Sequence, residues 1–203
     1  VVSLVCYALK LWGSSCDRKA VLAASARLAA ARASLRLFDD AAALKAARLY
    51  GFGKQEGAFW GSLGVSGQLL HLAYLQAEKL VFLIDTGVLN LDPQQAQNCR
   101  TLHKALWSAS AAVGLVRSLR ALNFIIKEVN SGQRRKCASA RLLQAALTTT
   151  KSGLDVLHAV SWLPAGWLWG SKLTTTQASA AATASAVLAL VLHYHGKQLA
   201  PVR

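Results

Sequence analysis

Leu173-Thr-Thr-Thr-Gln-Ala-Ser-Ala-Ala-Ala-Thr-Ala-Ser-Ala-Val-Leu-Ala-Leu-Val-Leu-His-Tyr-His-Gly196 runs for 24 residues without one Lys, Arg, Asp or Glu. A helix that crosses a bilayer needs about 20 predominantly apolar residues. Lys172 and Lys197 bracket the run, and Trp167, Trp169 and Tyr194 lie near its ends, where amphipathic rings settle at headgroup level. Its first half is Ala, Ser and Thr rather than Leu. Ala178, Ala182 and Ala186 recur at every fourth position, a spacing of small residues that lets another helix approach closely. The span 173–196 is therefore expected to be a transmembrane helix. The alternative is an Ala-rich helix buried in a soluble bundle.

The composition around this run agrees with it. Of 203 residues, 54% are hydrophobic and only 16% charged, against about 25% charged in soluble domains. The apolar excess is Ala and Leu, which favours helix over strand. Only Pro93, Pro164 and Pro201 bar a helix locally. The expectation is an all-α chain of about six to eight helices, read as one unit over 1–203. The net charge is +14, from 23 basic and 9 acidic residues, which calls for an anionic partner. The cations are scattered among Ala and Leu on helical stretches, without zinc-finger spacing, a basic zipper or an aromatic RNA-binding motif. That pattern points to an anionic phospholipid membrane, with no nucleic acid. Cys6, Cys16, Cys99 and Cys137 form no CxxC pair and read as reduced thiols. Residues 1–9 are apolar, but the run breaks at Lys10 and no small-residue cleavage pattern follows, so a signal peptide has weak support.

Residues 1–12 read as a short apolar helix ending near Gly13, with Ser14 or Ser15 capping the next. That second helix runs to about Phe38. Val21, Ala24, Leu28, Ala31, Leu35 and Phe38 recur at three- and four-residue steps and make one apolar stripe. Arg18, Lys19, Arg27 and Arg36 lie off the stripe, and Arg32 sits at its edge, where its stem can snorkel. The pattern suits a helix lying in a headgroup layer and equally one packed on a protein core. The membrane-surface residues expected are thus Arg18, Lys19, Val21, Arg27, Leu28, Arg32, Leu35, Arg36 and Phe38, within an amphipathic basic region 18–50. Asp39-Asp40 reads as a solvated helix end, and the glycines of Tyr50-Gly-Phe-Gly-Lys54 mark a loop.

Residues 60–84 read as a buried helix or a poor membrane span, and 85–95 as a loop. The segment 101–126 is a possible membrane helix. It is uncharged from Ala105 to Val116, but Arg117 and Arg120 follow, and each Arg at a bilayer centre costs about 2.5–3.5 kcal/mol on insertion scales. Residues 130–137 form a basic linker, and a helix from about Ser139 to Ser161 stops before Trp162-Leu163-Pro164. Catalytic and cofactor motifs are absent. Gly51-x-Gly53-x-x-x-Gly57 misses the dinucleotide fingerprint by one residue and follows no strand. His193 and His195 have no third ligand, so no metal is expected. No catalytic residue and no cofactor is expected, and the chain does not read as an enzyme.

Ser34-Leu-Arg-Leu-Phe-Asp-Asp40, Tyr50-Gly-Phe-Gly-Lys-Gln-Glu56, His158-Ala-Val-Ser-Trp-Leu-Pro164 and Gly166-Trp-Leu-Trp169 occur in this order. Together they resemble the peroxisomal membrane-elongation family, the peroxin-eleven proteins, and most closely its gamma branch. The likeness covers nearly the whole chain and rests on the co-occurrence of short motifs. It implies an integral protein of the peroxisomal membrane that inserts an amphipathic helix in the cytosolic leaflet, elongates the organelle and promotes its division and proliferation. It also implies homo-oligomers and recruitment of fission machinery, a membrane adaptor and a dynamin-like GTPase. A solute or ion channel, with Arg117 and Arg120 lining an anion path, is the alternative, and a soluble helical adaptor a further one. The resemblance implies two spans with both termini cytosolic. The basic loop 127–172 and the two arginines favour instead a single span at 173–196, with 105–126 shallow or packed against protein.

Overall fold

The computed structural model describes residues 1–131 and 138–196. Among the described residues there are seven α-helices, one 3₁₀ turn and no strand. They are α1 (Val2–Ser15), α2 (Lys19–Arg36), α3 (Asp40–Tyr50), the 3₁₀ turn (Lys54–Glu56), α4 (Ala58–Asp85), α5 (Pro93–Asn130), α6 (Ala138–Ser161) and α7 (Thr175–Gly196). Helices α4 to α7 pack as successive antiparallel neighbours. The chain start then closes the arrangement: α1 lies on α7, α2 lies on α1, and α2 touches α4. All-α architecture follows from the Ala- and Leu-rich composition, and the two Pro residues in the described part fall at element edges, Pro93 opening α5 and Pro164 following α6.

Several expected boundaries move, each for a physical reason. Gly13, Ser14 and Ser15 close α1 rather than cap α2. The Ser14 hydroxyl donates back to the Leu11 carbonyl (3.0 Å), and Gly13 is where the two helices cross: a Cβ there would lie 2.9 Å from Leu22 Cγ. The turn is made by Asp17, held at φ 48°. The segment 101–126 is the middle of a much longer helix, α5. Asp92 caps it by accepting from the Gln94 N–H (3.1 Å), Pro93 fits its first position, and nothing from there to Asn130 breaks it. Helix α5 packs along α4 on one side and α6 on the other. Residues 132–137 of the expected basic linker lie outside the described residues, as does 197–203.

The core is small. Ala43, Tyr74 and Leu75 form one cluster under Trp107, and Val156, Val160 and Leu163 form another under Trp169. Large side chains such as Leu49, Phe52, Phe59 and Phe124 stand exposed. The Trp-Leu-Pro and Gly-Trp-Leu-Trp segments make the knot that turns α6 into α7. Trp169 Nε1 donates to the Leu157 carbonyl (3.3 Å), and the Ser171 hydroxyl to that of Leu163 (3.0 Å).

Two glycines test this packing with opposite signs. At Gly61 of α4 a Cβ would meet the Gly53 carbonyl oxygen at 2.5 Å, and both partners are backbone. At Gly114 of α5 a Cβ would meet nothing within 4 Å. Helix propensity alone favours Ala over Gly by about 1 kcal/mol at either site. Gly114→Ala should therefore raise stability by about that amount. Gly61→Ala should lower it by about 1–3 kcal/mol, because the overlap has no flexible side chain to absorb it. Thermal unfolding in detergent, followed by circular dichroism, reads both.

Candidate membrane-binding site

Helix α2 turns two different faces to its surroundings. Its inner face carries Leu22, Ser25, Ala29, Arg32 and Arg36. Ser25 is buried and donates its hydroxyl to the Cys6 carbonyl of α1 (2.9 Å). Arg32 Nη1 donates to the Tyr7 hydroxyl (3.0 Å), with its guanidinium 5.0 Å from that ring centre. Arg36 pairs with Glu78 of α4 (3.4 Å) and lies 5.2 Å from the Tyr74 ring. The apolar stripe lies roughly 110° around the helix from this face. Along it Val21 and Leu28 are half-buried, Leu35 is 67% exposed, and Phe38, in the turn after the helix, is 83% exposed. Arg18, Lys19 and Arg27 are exposed, and none of them meets a carboxylate among the described residues.

The nine expected surface residues thus divide. Val21, Arg27, Leu28, Leu35 and Phe38 lie on or beside the stripe, Arg18 and Lys19 are exposed at the start of the helix with Arg18 5.6 Å from the Trp12 ring, and Arg32 and Arg36 turn inward. Their long stems lie along aromatic rings and their heads find a phenol and a carboxylate, which is how arginine is accommodated away from water. The small Ser25 lets α1 come close, so the face that packs is not the most apolar one.

Asp40 is a tie between helices rather than a solvated end: it pairs with Lys79 of α4 and accepts from Gln76 Nε2 (3.2 Å). Arg117 and Arg120 converge on one carboxylate. Arg117 reaches Glu56 Oε1 and Arg120 reaches Oε2, both at 2.9 Å. Arg117 also lies 4.8 Å from the Tyr50 ring, and Arg120 4.4 Å from that of Trp60. The loop that carries Glu56 is seated by contacts only glycine allows. Gly53 holds φ 63° against Gly61, and Gly64 leaves room for the Tyr50 hydroxyl. One acid so placed neutralises half of the charge that makes α5 costly as a span, and two rings screen the remainder.

On α7 the small-residue face is used within the chain. Ala178, Ala181, Ala182, Ser179 and Ser185 are buried and Ala186 half-buried, against α6 and α1. Ser185 donates to Asp155 of α6, which also pairs with Lys151 (2.6 Å). The rest of α7 faces outward, Val187 among it.

Two helices, α5 and α7, are long and apolar enough to cross a membrane, and most of their apolar length lies outside the core. With the open apolar and basic face of α2, this defines an all-α integral membrane protein with amphipathic N-terminal helices and a C-terminal membrane helix. The profile of the Peroxisomal biogenesis factor 11 (PEX11) family matches residues 2–192, and the chain belongs to that family. It is similar to Peroxisomal membrane protein 11C of Homo sapiens, 30% identical over 181 residues that cover 84% of this chain and 74% of that one. It is likewise similar to Peroxisomal membrane protein 11C of Mus musculus, 29% identical over 179 residues covering 83% and 73%. No solved structure matches it. The resemblance to the gamma branch stands, and the chain is a peroxisomal membrane protein of peroxisome proliferation and division.

Sequence reasoning missed Glu56 as the partner of the two arginines, and Asp155 as the tie to α7. A signal for both was present. In a chain with 9 acids among 23 bases, an acid inside an apolar stretch has many cations competing for it. Among the described residues, six of the nine acids make ion pairs.

Proposed function

We propose that this chain elongates the peroxisome membrane by laying the outer face of α2, with the turn and helix that follow, into one leaflet as a wedge. The observation that carries the reading is the run of large apolar side chains left open between Leu35 and Phe52, namely Leu35, Phe38, Leu44, Leu49 and Phe52. Large apolar side chains left exposed and grouped in one segment mark a surface that meets lipid or another protein. Arg18, Lys19, Arg27, Lys45 and Arg48 are exposed around this run and would engage anionic headgroups. A helix buried to the headgroup–acyl boundary expands one leaflet and favours curvature. Helices α5 and α7 hold the wedge at the membrane, and homo-oligomers concentrate wedges until the membrane narrows and a membrane adaptor with a dynamin-like GTPase divides it. The reading assigns no catalysis. The geometry offers the channel reading little, because Arg117 and Arg120 are spent on Glu56.

A synthetic peptide of residues 18–38 tests the surface part. It should bind vesicles containing anionic phospholipid and gain helicity on binding. Each basic residue near such a surface contributes about 1 kcal/mol, screened by salt. Titration by circular dichroism should show binding weaken as salt rises. Equal binding to neutral and anionic vesicles would count against the proposal.

A further inference from the structure

Behind the inner face of α2 lies a cavity of about 600 Å³, walled by α1, α2, α4, α5 and α6. Its wall is mostly apolar, with Leu22, Val81, Trp107 and Trp162 contributing, yet it also carries five cations, Lys10, Arg32, Arg36, Arg100 and Lys104. Two carboxylates face them. Glu78 pairs with Arg36 (3.4 Å) and Asp85 with Arg100 (2.7 Å). Lys10, Arg32 and Lys104 meet no carboxylate among the described residues. Arg32 spends one nitrogen on the Tyr7 hydroxyl, and Lys10 sits 4.7 Å from the Trp162 ring. Burial pushes the Lys10 pKa below its ordinary value, as desolvation does to an ammonium.

The same wall collects unsatisfied polar atoms. Arg32 Nε, Glu78 Oε2 and His103 Nε2 are buried without a hydrogen bond, while the His158 ring has only the Ala178 backbone within reach. Native interiors leave few such atoms, and each asks for an explanation such as a bound ligand. His158 stands edge-on to Tyr7, Trp107 and Trp162 at 5.4, 5.5 and 5.7 Å. The region combines an aromatic lining, surplus positive charge and room well beyond that of a bare anion.

We propose that this cavity binds one anionic phospholipid, its phosphate among Lys10, Arg32 and Lys104 and its glycerol and first acyl carbons against Trp107, Trp162 and Leu22. An amphiphile matches both parts of the wall, whereas a free phosphate would leave the apolar part empty. This site uses the inner face of α2. It is separate from the outer-face wedge, so either can fail without the other.

The test uses the purified full-length chain in neutral detergent, dioctanoyl phosphatidic acid as probe, and native mass spectrometry as readout. One lipid should be retained per chain. Lys104→Gln should weaken retention by about tenfold or more, the scale of one charge-assisted contact, and Ala29→Phe, which fills the cavity from α2, should abolish it. Circular dichroism confirms that each variant is folded. Lys104, half-exposed, serves as the safer substitution beside Arg32→Gln. The outer-face variant Leu35→Ser/Phe38→Ser should bind as the wild type does. Retention unchanged in folded Lys104→Gln and Ala29→Phe, or many lipids per chain without saturation, would overturn the proposal. Displacement of the lipid by equimolar inorganic phosphate would overturn its assignment to a lipid.

Discussion

Val187→Arg should release much of the protein from membranes under alkaline carbonate, where the wild type stays in the pellet. Val187 lies near the middle of the uncharged run, on the outward side of α7, and is 44% exposed. In a helix of a soluble protein, an exposed valine exchanged for arginine changes stability by only a few tenths of a kcal/mol. In the hydrocarbon the same exchange costs about 2.5–3.5 kcal/mol, roughly two orders of magnitude in an insertion equilibrium. Asp155, the acid that meets α7, is occupied by Ser185 and Lys151, so no free carboxylate is at hand to compensate. His195→Arg is the matched control. It adds the same charge on the last turn, where headgroups and water receive it. If Val187→Arg sediments with the membrane as fully as the wild type and His195→Arg do, α7 is not the anchor that holds the chain in the membrane.

The helices were legible because nothing in the chain competes with them. No stretch alternates apolar and polar residues, prolines are few, and the apolar residues recur at three- and four-residue steps. The uncharged run 173–196 needed only counting, and α7 occupies 175–196 of it. What escaped the sequence depends on distance along the chain. Glu56 meets Arg117 across 61 residues and Arg120 across 64, and no periodicity links an acid in a loop to two bases in a helix. The arginines therefore read as a penalty to a span, when the fold supplies their partner. The packing face of α2 escaped for a related reason. Hydrophobicity singled out the stripe through Leu28 and Leu35, but the fold chose the face where Ser25 lets α1 approach and where Arg32 and Arg36 lie against Tyr7 and Tyr74. A close crossing is set by small residues as much as by apolar ones. The stripe that read as the packing or lipid-facing side of the helix is thus left outward at Leu35 and Phe38, which is where a membrane wedge needs it.

That open end is where the largest functional effect is expected. Leu35 and Phe38 touch little of the chain, so Leu35→Ser/Phe38→Ser should leave helicity and thermal unfolding as they are. In a leaflet each side chain contributes about 1.5–3 kcal/mol of apolar burial. Losing both weakens membrane seating of the wedge by about 4 kcal/mol, on the order of a thousandfold. The decisive measurement is electron microscopy of vesicles containing anionic phospholipid, into which equal amounts of folded wild type and Leu35→Ser/Phe38→Ser have been reconstituted. The account predicts narrow tubules from the wild type and round vesicles from the variant. Tubules of equal number and width from both proteins would contradict it.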